Sequence, residues 1–238
     1  MSLVRVVANV FAENCYVLVT DRRALVIDPG AGTAGPVRAQ LAELGAELEA
    51  VLLTHGHADH VWDAAELAGD LPVYVPVPDL YRLDDPLGVQ NAALRSILTD
   101  QLVQLFGAQW RRPGNVVPVP EAYFEGGGAE LAGAQIRAVP APGHTEGSTI
   151  YLTSGEWDAE VASWVGAGAG TGPLAFAGDV LFKQGIGRTD LPGGDEKVME
   201  WTLRTLRATI DPATWILPGH GPGTTMADEL ASNPFLRR

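Results

Sequence analysis

The stretch Val51-Leu52-Leu53-Thr54-His55-Gly56-His57-Ala58-Asp59-His60 decides how this chain is read. Its first four residues form a short apolar run, too brief for a helix and suited to a buried strand. The next six hold three imidazoles and a carboxylate, separated by Gly56 and Ala58, whose small side chains let backbone and donors crowd together. Histidines two apart on an extended loop point the same way and can share one ion. Asp59 and His60 turn toward a second position as a helix begins at Val61. Imidazole with hard carboxylate oxygen, and no thiolate, suits zinc, iron or manganese and excludes copper(I) and iron–sulfur chemistry.

The remaining histidines sit in the same context. Ile136–Val139 leads through Pro140-Ala141-Pro142-Gly143 to His144, and Thr214–Leu217 leads through Pro218-Gly219 to His220. Leu174–Ala177 leads through Gly178 to Asp179. All five histidines of the chain therefore follow expected strands. Histidines scattered over a surface or satisfied in a core would not be distributed this way. Strand ends supply the rigid supports that a metal site needs to aim several donors at one point. Asp59 and Asp179 could each be solvated surface acids. An unpaired carboxylate directly after an apolar strand is costly, however, which favours a partnered Asp179.

Further runs read as strands at Val4–Val10, Cys15–Thr20, Ala24–Asp28, Val73–Val75 and Thr149–Leu152, each stopped by Gly, Pro or polar residues. Amphipathic stretches at Pro36–Leu48, Val61–Ala68, Ala92–Phe106 and Glu196–Thr209 read as helices, the last stopped by Pro212. Early strands follow one another directly and later ones alternate with helices, so the expected class is α/β (α+β), with sheets covered by helices on their outer faces. The expected organisation is one domain over residues 1–238. Residues 154–173, Gly- and Ala-dominated from Gly166 to Gly172, read as a flexible surface insertion.

Hydrophobic residues make up 46% and charged residues 19% of the 238, enough for a sizeable core and too apolar for disorder. A formal charge of −13, with no basic patch, argues against nucleic acid as a partner. The single cysteine, Cys15, allows no intrachain disulfide and reads as a small buried hydrophobe. No signal peptide or membrane span is evident, so the expected location is cytoplasmic and the expected partner a small-molecule substrate. A homo-oligomer is left open.

Thr54-His55-Gly56-His57-Ala58-Asp59-His60 resembles the metal loop of metallo-β-lactamase-fold hydrolases. Pro142-Gly143-His144-Thr145, Gly178-Asp179 and Pro218-Gly219-His220-Gly221 match that family's later motifs in order. Within it, Gly178–Phe182, Gly187-Arg188-Thr189-Asp190-Leu191-Pro192-Gly193-Gly194, Gly219–Thr225 and Asn233-Pro234-Phe235 are similar to the short glyoxalase II-like branch. The resemblance covers nearly the whole chain and implies a four-layer αβ/βα sandwich. It also implies one metal on His55, His57 and His144, a second on Asp59, His60 and His220, and Asp179 bridging both.

The implied chemistry is attack on a thioester carbonyl by hydroxide activated between two divalent ions, zinc foremost with iron or manganese as alternatives. Asp59 and Asp179 act in that chemistry, and Thr54 and Asp28 support the ligands; Asp28 reads equally as a turn residue before Pro29-Gly30. Phe182, Lys183, Arg188 and Asp190 are candidate substrate contacts, with an internal Arg188–Asp190 ion pair as the alternative. Only 18 residues follow His220, against the longer basic extension that grips glutathione in long glyoxalase II enzymes. The resemblance therefore does not extend to the glutathione grip, and the thiol carrier is left open between glutathione and another small thiol. A mono-iron persulfide dioxygenase, a lactonase of the same fold and a non-catalytic binding protein are the competing readings.

Overall fold

Strands whose apolar side chains alternate between two faces must have both faces covered, and the chain achieves this with two stacked sheets. The computed structural model describes residues 1–86, 92–107 and 109–237. The first sheet holds β1 (Ser2–Val7), β2 (Asn14–Thr20), β3 (Arg23–Ile27), β4 (Glu47–Leu52), β5 (Val73–Val75) and β6 (Val116–Pro118), in that spatial order. Its first two pairings are antiparallel and the rest parallel. The second sheet is built from β7 (Ala129–Leu131), β8 (Ala134–Pro140), β9 (Thr149–Trp157), β10 (Gly170–Gly178), β13 (Trp215–Pro218) and β14 (Thr224–Thr225). Its spatial order is β14-β13-β10-β9-β8-β7. A small hairpin, β11 (Leu181–Phe182) and β12 (Gly185–Ile186), stands apart.

The helices are α1 (Ala34–Leu44), α2 (Ala58–Val61), α3 (Ala64–Ala68), α4 (Ala92–Phe106), α5 (Ala159–Val165), α6 (Glu196–Thr209) and α7 (Met226–Ser232). The period of two sorts the apolar residues into three cores. Leu25 and Ile27 of β3 face Leu174 and Phe176 of β10 between the sheets. Ala24 and Val26 pack outward against Val37 and Leu41 of α1 and Ala64 and Leu67 of α3. Ala175 and Ala177 pack on the other side against Met199, Leu203 and Leu206 of α6. The result is the expected four layers: helices, sheet, sheet, helices.

The nine expected strands are all present, several of them longer than the apolar run that announced them. Helix α1 ends at Leu44 rather than Leu48, because Gly45 takes a left-handed conformation and caps it. Glu47 and Leu48 then join β4 alongside β3. The expected helix over Val61–Ala68 is two short helices, α2 and α3, split at Trp62 and Asp63.

Residues 154–173 are not a surface insertion. They finish β9, form α5 and start β10, and Trp157, Val161 and Val165 enter the core between the sheets. Asp158 caps α5 through the Val161 amide, and Gly166 closes it in a left-handed conformation. Part of the stretch 80–117 lies outside the described residues. Within it, Phe106 is buried against Trp62, and the Trp110 indole donates to the Leu83 carbonyl. Cys15 is buried, as its setting suggested. Among the described residues, no helix is long and apolar enough to cross a membrane.

Candidate metal centre

Chain direction brings the ends of several strands to one edge of the sandwich. β4 runs into His55–His60, β8 through Pro140 toward His144, β10 into Asp179, and β13 into His220. Hydrogen bonds between the sheets lock that edge. The Thr149 amide donates to Thr54 O at 2.9 Å, Tyr151 Oη to Leu53 O at 2.9 Å, and Tyr16 Oη to Pro218 O at 2.8 Å. The Asn14 amide donates to Gly219 O at 2.7 Å.

The seven side chains converge. His55, His57 and His144 form one group with their donor atoms within 4.8 Å of one another, and Asp59, His60 and His220 form a second. Asp179 stands between the groups: its Oδ2 lies 3.7 Å from His144 Nε2 and 3.5 Å from His220 Nε2, and its Oδ1 lies 3.3 Å from His60 Nε2. Asp59 Oδ2 is 3.3 Å from His220 Nε2. The side chains of His220 and Asp59 keep 26% and 23% of their surface exposed while His60 keeps none, so the cluster opens on the His220–Asp59 side.

Four of the imidazoles are held by Nδ1, which turns Nε2 into the cluster. His60 Nδ1 pairs with Asp28 Oδ2 at 3.1 Å, His144 Nδ1 donates to Arg188 O at 2.7 Å, and His220 Nδ1 donates to Phe11 O at 3.0 Å. His55 Nδ1 lies 3.0 Å from Thr54 Oγ1, which itself donates to Asp28 Oδ2 at 2.6 Å. Asp28 Oδ1 accepts the Thr54 amide at 2.7 Å. Asp28 thus reaches His60 directly and His55 through Thr54.

Inside the cluster, the buried atoms His55 Nε2 and His144 Nε2 have no hydrogen-bond partner among the described residues, and Asp179 Oδ1 has the His60 ring beside it at 3.3 Å. Buried polar atoms left in this way are costly unless something else satisfies them. Inward imidazole lone pairs and a carboxylate oxygen are the donors a divalent cation takes, so the residues present fit the implied metal.

Electrostatics divide the imidazoles in two. Burial, reinforced by the neighbouring imidazoles, pushes His55 toward the neutral form. Burial and His144 bring His57 down to about 3. Burial also lowers His144, with Asp179 opposing it. His60 goes the other way: burial works against its charge, but the Asp179 and Asp59 carboxylates overcome it and raise its pKa. His220 is raised against burial by Asp59 and Asp179. Asp59 and Asp179 are lowered despite burial, chiefly by His60.

The candidate substrate contacts are less central. Arg188 Nε and Nη2 grip Asp190 at 2.7 and 2.8 Å, with both side chains exposed, so the internal ion pair is formed. Phe182 stands with its ring centroid 6.4 Å from that of His220, and Lys183 is exposed. A cavity of about 450 Å³ lies between the 186–189 loop and α6, lined in part by Ile186, Arg188, Met199, Leu203 and Phe235.

Two buried acids near the cluster carry no signal in the local sequence. Glu13 is fully buried against Gly30; burial raises its pKa, and neither carboxyl oxygen has a hydrogen-bond partner among the described residues. Asp79 joins the loops that carry His55, His57 and His144.

A two-sheet sandwich with a cluster of imidazoles and carboxylates at its strand ends defines a metallo-hydrolase architecture. The chain belongs to the metallo-beta-lactamase superfamily, whose family model matches residues 8–155. It is 34% identical to an uncharacterized protein of Mycobacterium tuberculosis (strain H37Rv), over 96% of this chain and 95% of that one. It is 32% identical to the hydroxyacylglutathione hydrolase GloC of Haemophilus influenzae, over 99% of this chain and 98% of the relative. Among solved structures it resembles TTHA1623 in a di-iron-bound form, with a TM-score of 0.71 and 32% identity over 98% of this chain and 100% of that one.

Proposed function

We propose that this chain is a hydrolase with two metal ions that cleaves a small acyl-thiol, in the manner of a glyoxalase II. The observation that carries the reading is the placement of Asp179 beside His144 of one group of three donors and His60 and His220 of another, the two groups adjoining at His55 and His60. The likeness to GloC supports a thioester as substrate, and the di-iron form of TTHA1623 supports two ions. We propose zinc as the native metal, with iron and manganese as the alternatives that metal analysis separates.

When bound, two divalent ions supply Lewis acidity and a hydroxide at neutral pH. His55, His57 and His144 would hold one ion, Asp59, His60 and His220 the other, and Asp179 both. Asp59, on the open side, is placed to accept a hydrogen bond from the attacking nucleophile and orient it toward the thioester carbonyl. Asp28 and Thr54 fix His60 and His55 so that neither ring turns during turnover. The cavity beside the 186–189 loop has the size of a small-ligand pocket, and its lining mixes the apolar Met199, Leu203 and Phe235 with the charged Arg188, Glu196 and Glu200.

The test is a screen of purified protein against thioesters, lactones and persulfides, with oxygen uptake followed in parallel. Thioester hydrolysis that is abolished in His57→Ala, with an unchanged melting curve, is the expected result. Oxygen consumption on a persulfide with no thioester turnover would replace this reading with that of a dioxygenase, and lactone turnover alone with that of a lactonase.

A further inference from the structure

Asp79 is fully buried and lies in the 3-10 turn Val77–Leu83. Its Oδ2 accepts the Gly56 amide at 2.8 Å and the Thr145 hydroxyl at 2.8 Å, and its Oδ1 accepts the Gly147 amide at 2.8 Å. Gly56 stands between His55 and His57, and Thr145 follows His144 directly. One carboxylate therefore grips both loops that carry the His55–His57–His144 group.

Arg82, also buried, extends the brace. Its Nε lies 3.4 Å from Asp79 Oδ1, and its Nη2 donates to Glu146 Oε2 at 2.6 Å and to Pro192 O at 2.8 Å. The loops are shaped to this pair. A Cβ on Gly147 would come within 2.6 Å of Asp79 Cγ, and a Cβ on Gly56 within 2.7 Å of Arg82 Cβ. Both glycines allow the ligand loops to close on Asp79 and Arg82. The second donor group is held differently, by Asp28 on His60 and by the Phe11 carbonyl on His220.

We propose that Asp79 is a positioning residue that sets the cation affinity of the His55–His57–His144 group by clamping its two loops together before the cation arrives. The inference rests on the metal reading of the site. Its physical basis is preorganisation: loops fixed at folding need not be ordered at binding, so the affinity is not reduced by that cost.

The test is zinc titration against a competing chromophoric chelator in a His220→Ala background, which leaves the His55–His57–His144 group as the triad under study. Adding Asp79→Asn is expected to weaken zinc binding about tenfold to hundredfold, the usual range for partners behind metal ligands. Thr145→Val, which removes one of the three donors, is expected to weaken it less, and Thr145→Ser to restore it. Glu229→Gln is the control. Glu229 is equally buried and accepts from the Gln184 amide, Thr224 Oγ1 and Asn233 Nδ2, but it braces neither ligand loop. It is expected to lower the melting temperature and leave zinc affinity unchanged.

Unchanged affinity in Asp79→Asn, or an equal loss in Glu229→Gln, overturns the proposal. If Asp79→Asn does not fold, the contrast between Thr145→Val and Thr145→Ser decides it: a loss in Val restored in Ser supports the clamp, and equal affinity refutes it. A background protein that binds no zinc at all overturns the metal reading, an outcome distinct from failure of the clamp.

Discussion

Replacing Gly219 by alanine probes the cluster with a single methyl group. A Cβ there would lie 2.5 Å from His60 Cε1 and would also meet Asp179 Oδ1. Ordinary carbon contacts need about 3.5 Å or more, so one side must yield by roughly 1 Å. The backbone cannot retreat easily: the Gly219 amide donates to Gly178 O at 2.8 Å, and its carbonyl accepts the Asn14 amide at 2.7 Å. His60 and Asp179 must therefore move. Metal–ligand distances tolerate only about 0.2 Å, while overpacking by one methyl costs about 1–3 kcal/mol of stability. A misplacement near 1 Å also costs about 100-fold in rate where geometry governs reaction. Gly219→Ala should thus fold with a modestly lowered melting temperature, lose at least one equivalent of metal on dialysis, and fall about 100-fold in kcat. Metal content by elemental analysis and steady-state kinetics check this. Full metal occupancy with wild-type kcat would refute the reasoning, because it would mean that the methyl displaces neither ligand.

Asp28→Asn keeps the shape but removes the charge that holds His60 and Thr54; metal affinity should fall about tenfold to hundredfold with little change in melting temperature, as measured by chelator competition. Trp157→Ala should lower stability by about 3–5 kcal/mol in denaturant unfolding, since Trp157 is buried between the sheets and its indole donates to Gly172 O at 3.0 Å. A loss below about 1 kcal/mol would show that residues 154–173 are peripheral. Metal uptake should release protons and weaken as pH falls: carboxylates raise the pKa of His60 and His220, and a cation must displace the protons they hold. Titration in a weakly buffered solution with a pH indicator measures this, and uptake without proton release would contradict it.

The candidate metal-binding residues were legible because they cluster shortly beyond apolar runs, and His55, His57, His144, Asp179 and His220 each adjoin a glycine; this pattern survives without knowledge of the fold. The four layers were implied by the family resemblance, whereas the strand and helix order alone pointed to sheets covered by helices; the structure supplies the cause, since β3 and β10 each bury both faces. Residues 154–173 were misread because the Gly and Ala content of 166–172 masked stronger local signals. Asp158 before Ala159 and Gly166 after Val165 are a helix start and stop, and Trp157 announces burial. Strands β6 and β7 lie outside the nine apolar runs, and each is held as a strand by the neighbour that pairs with it. Asp79 was illegible for a deeper reason. It contacts Gly56, Thr145 and Gly147, residues remote from it in the chain, and a lone aspartate after Pro78 looks like any turn.

The account stands most directly on where the cations sit. Anomalous diffraction from crystals of metal-loaded protein, collected at the absorption edge of the bound metal, locates them. Two peaks a few ångströms apart are predicted, one among His55, His57 and His144, the other among Asp59, His60 and His220, with Asp179 touching both. A single peak, or peaks away from these seven side chains, would contradict it.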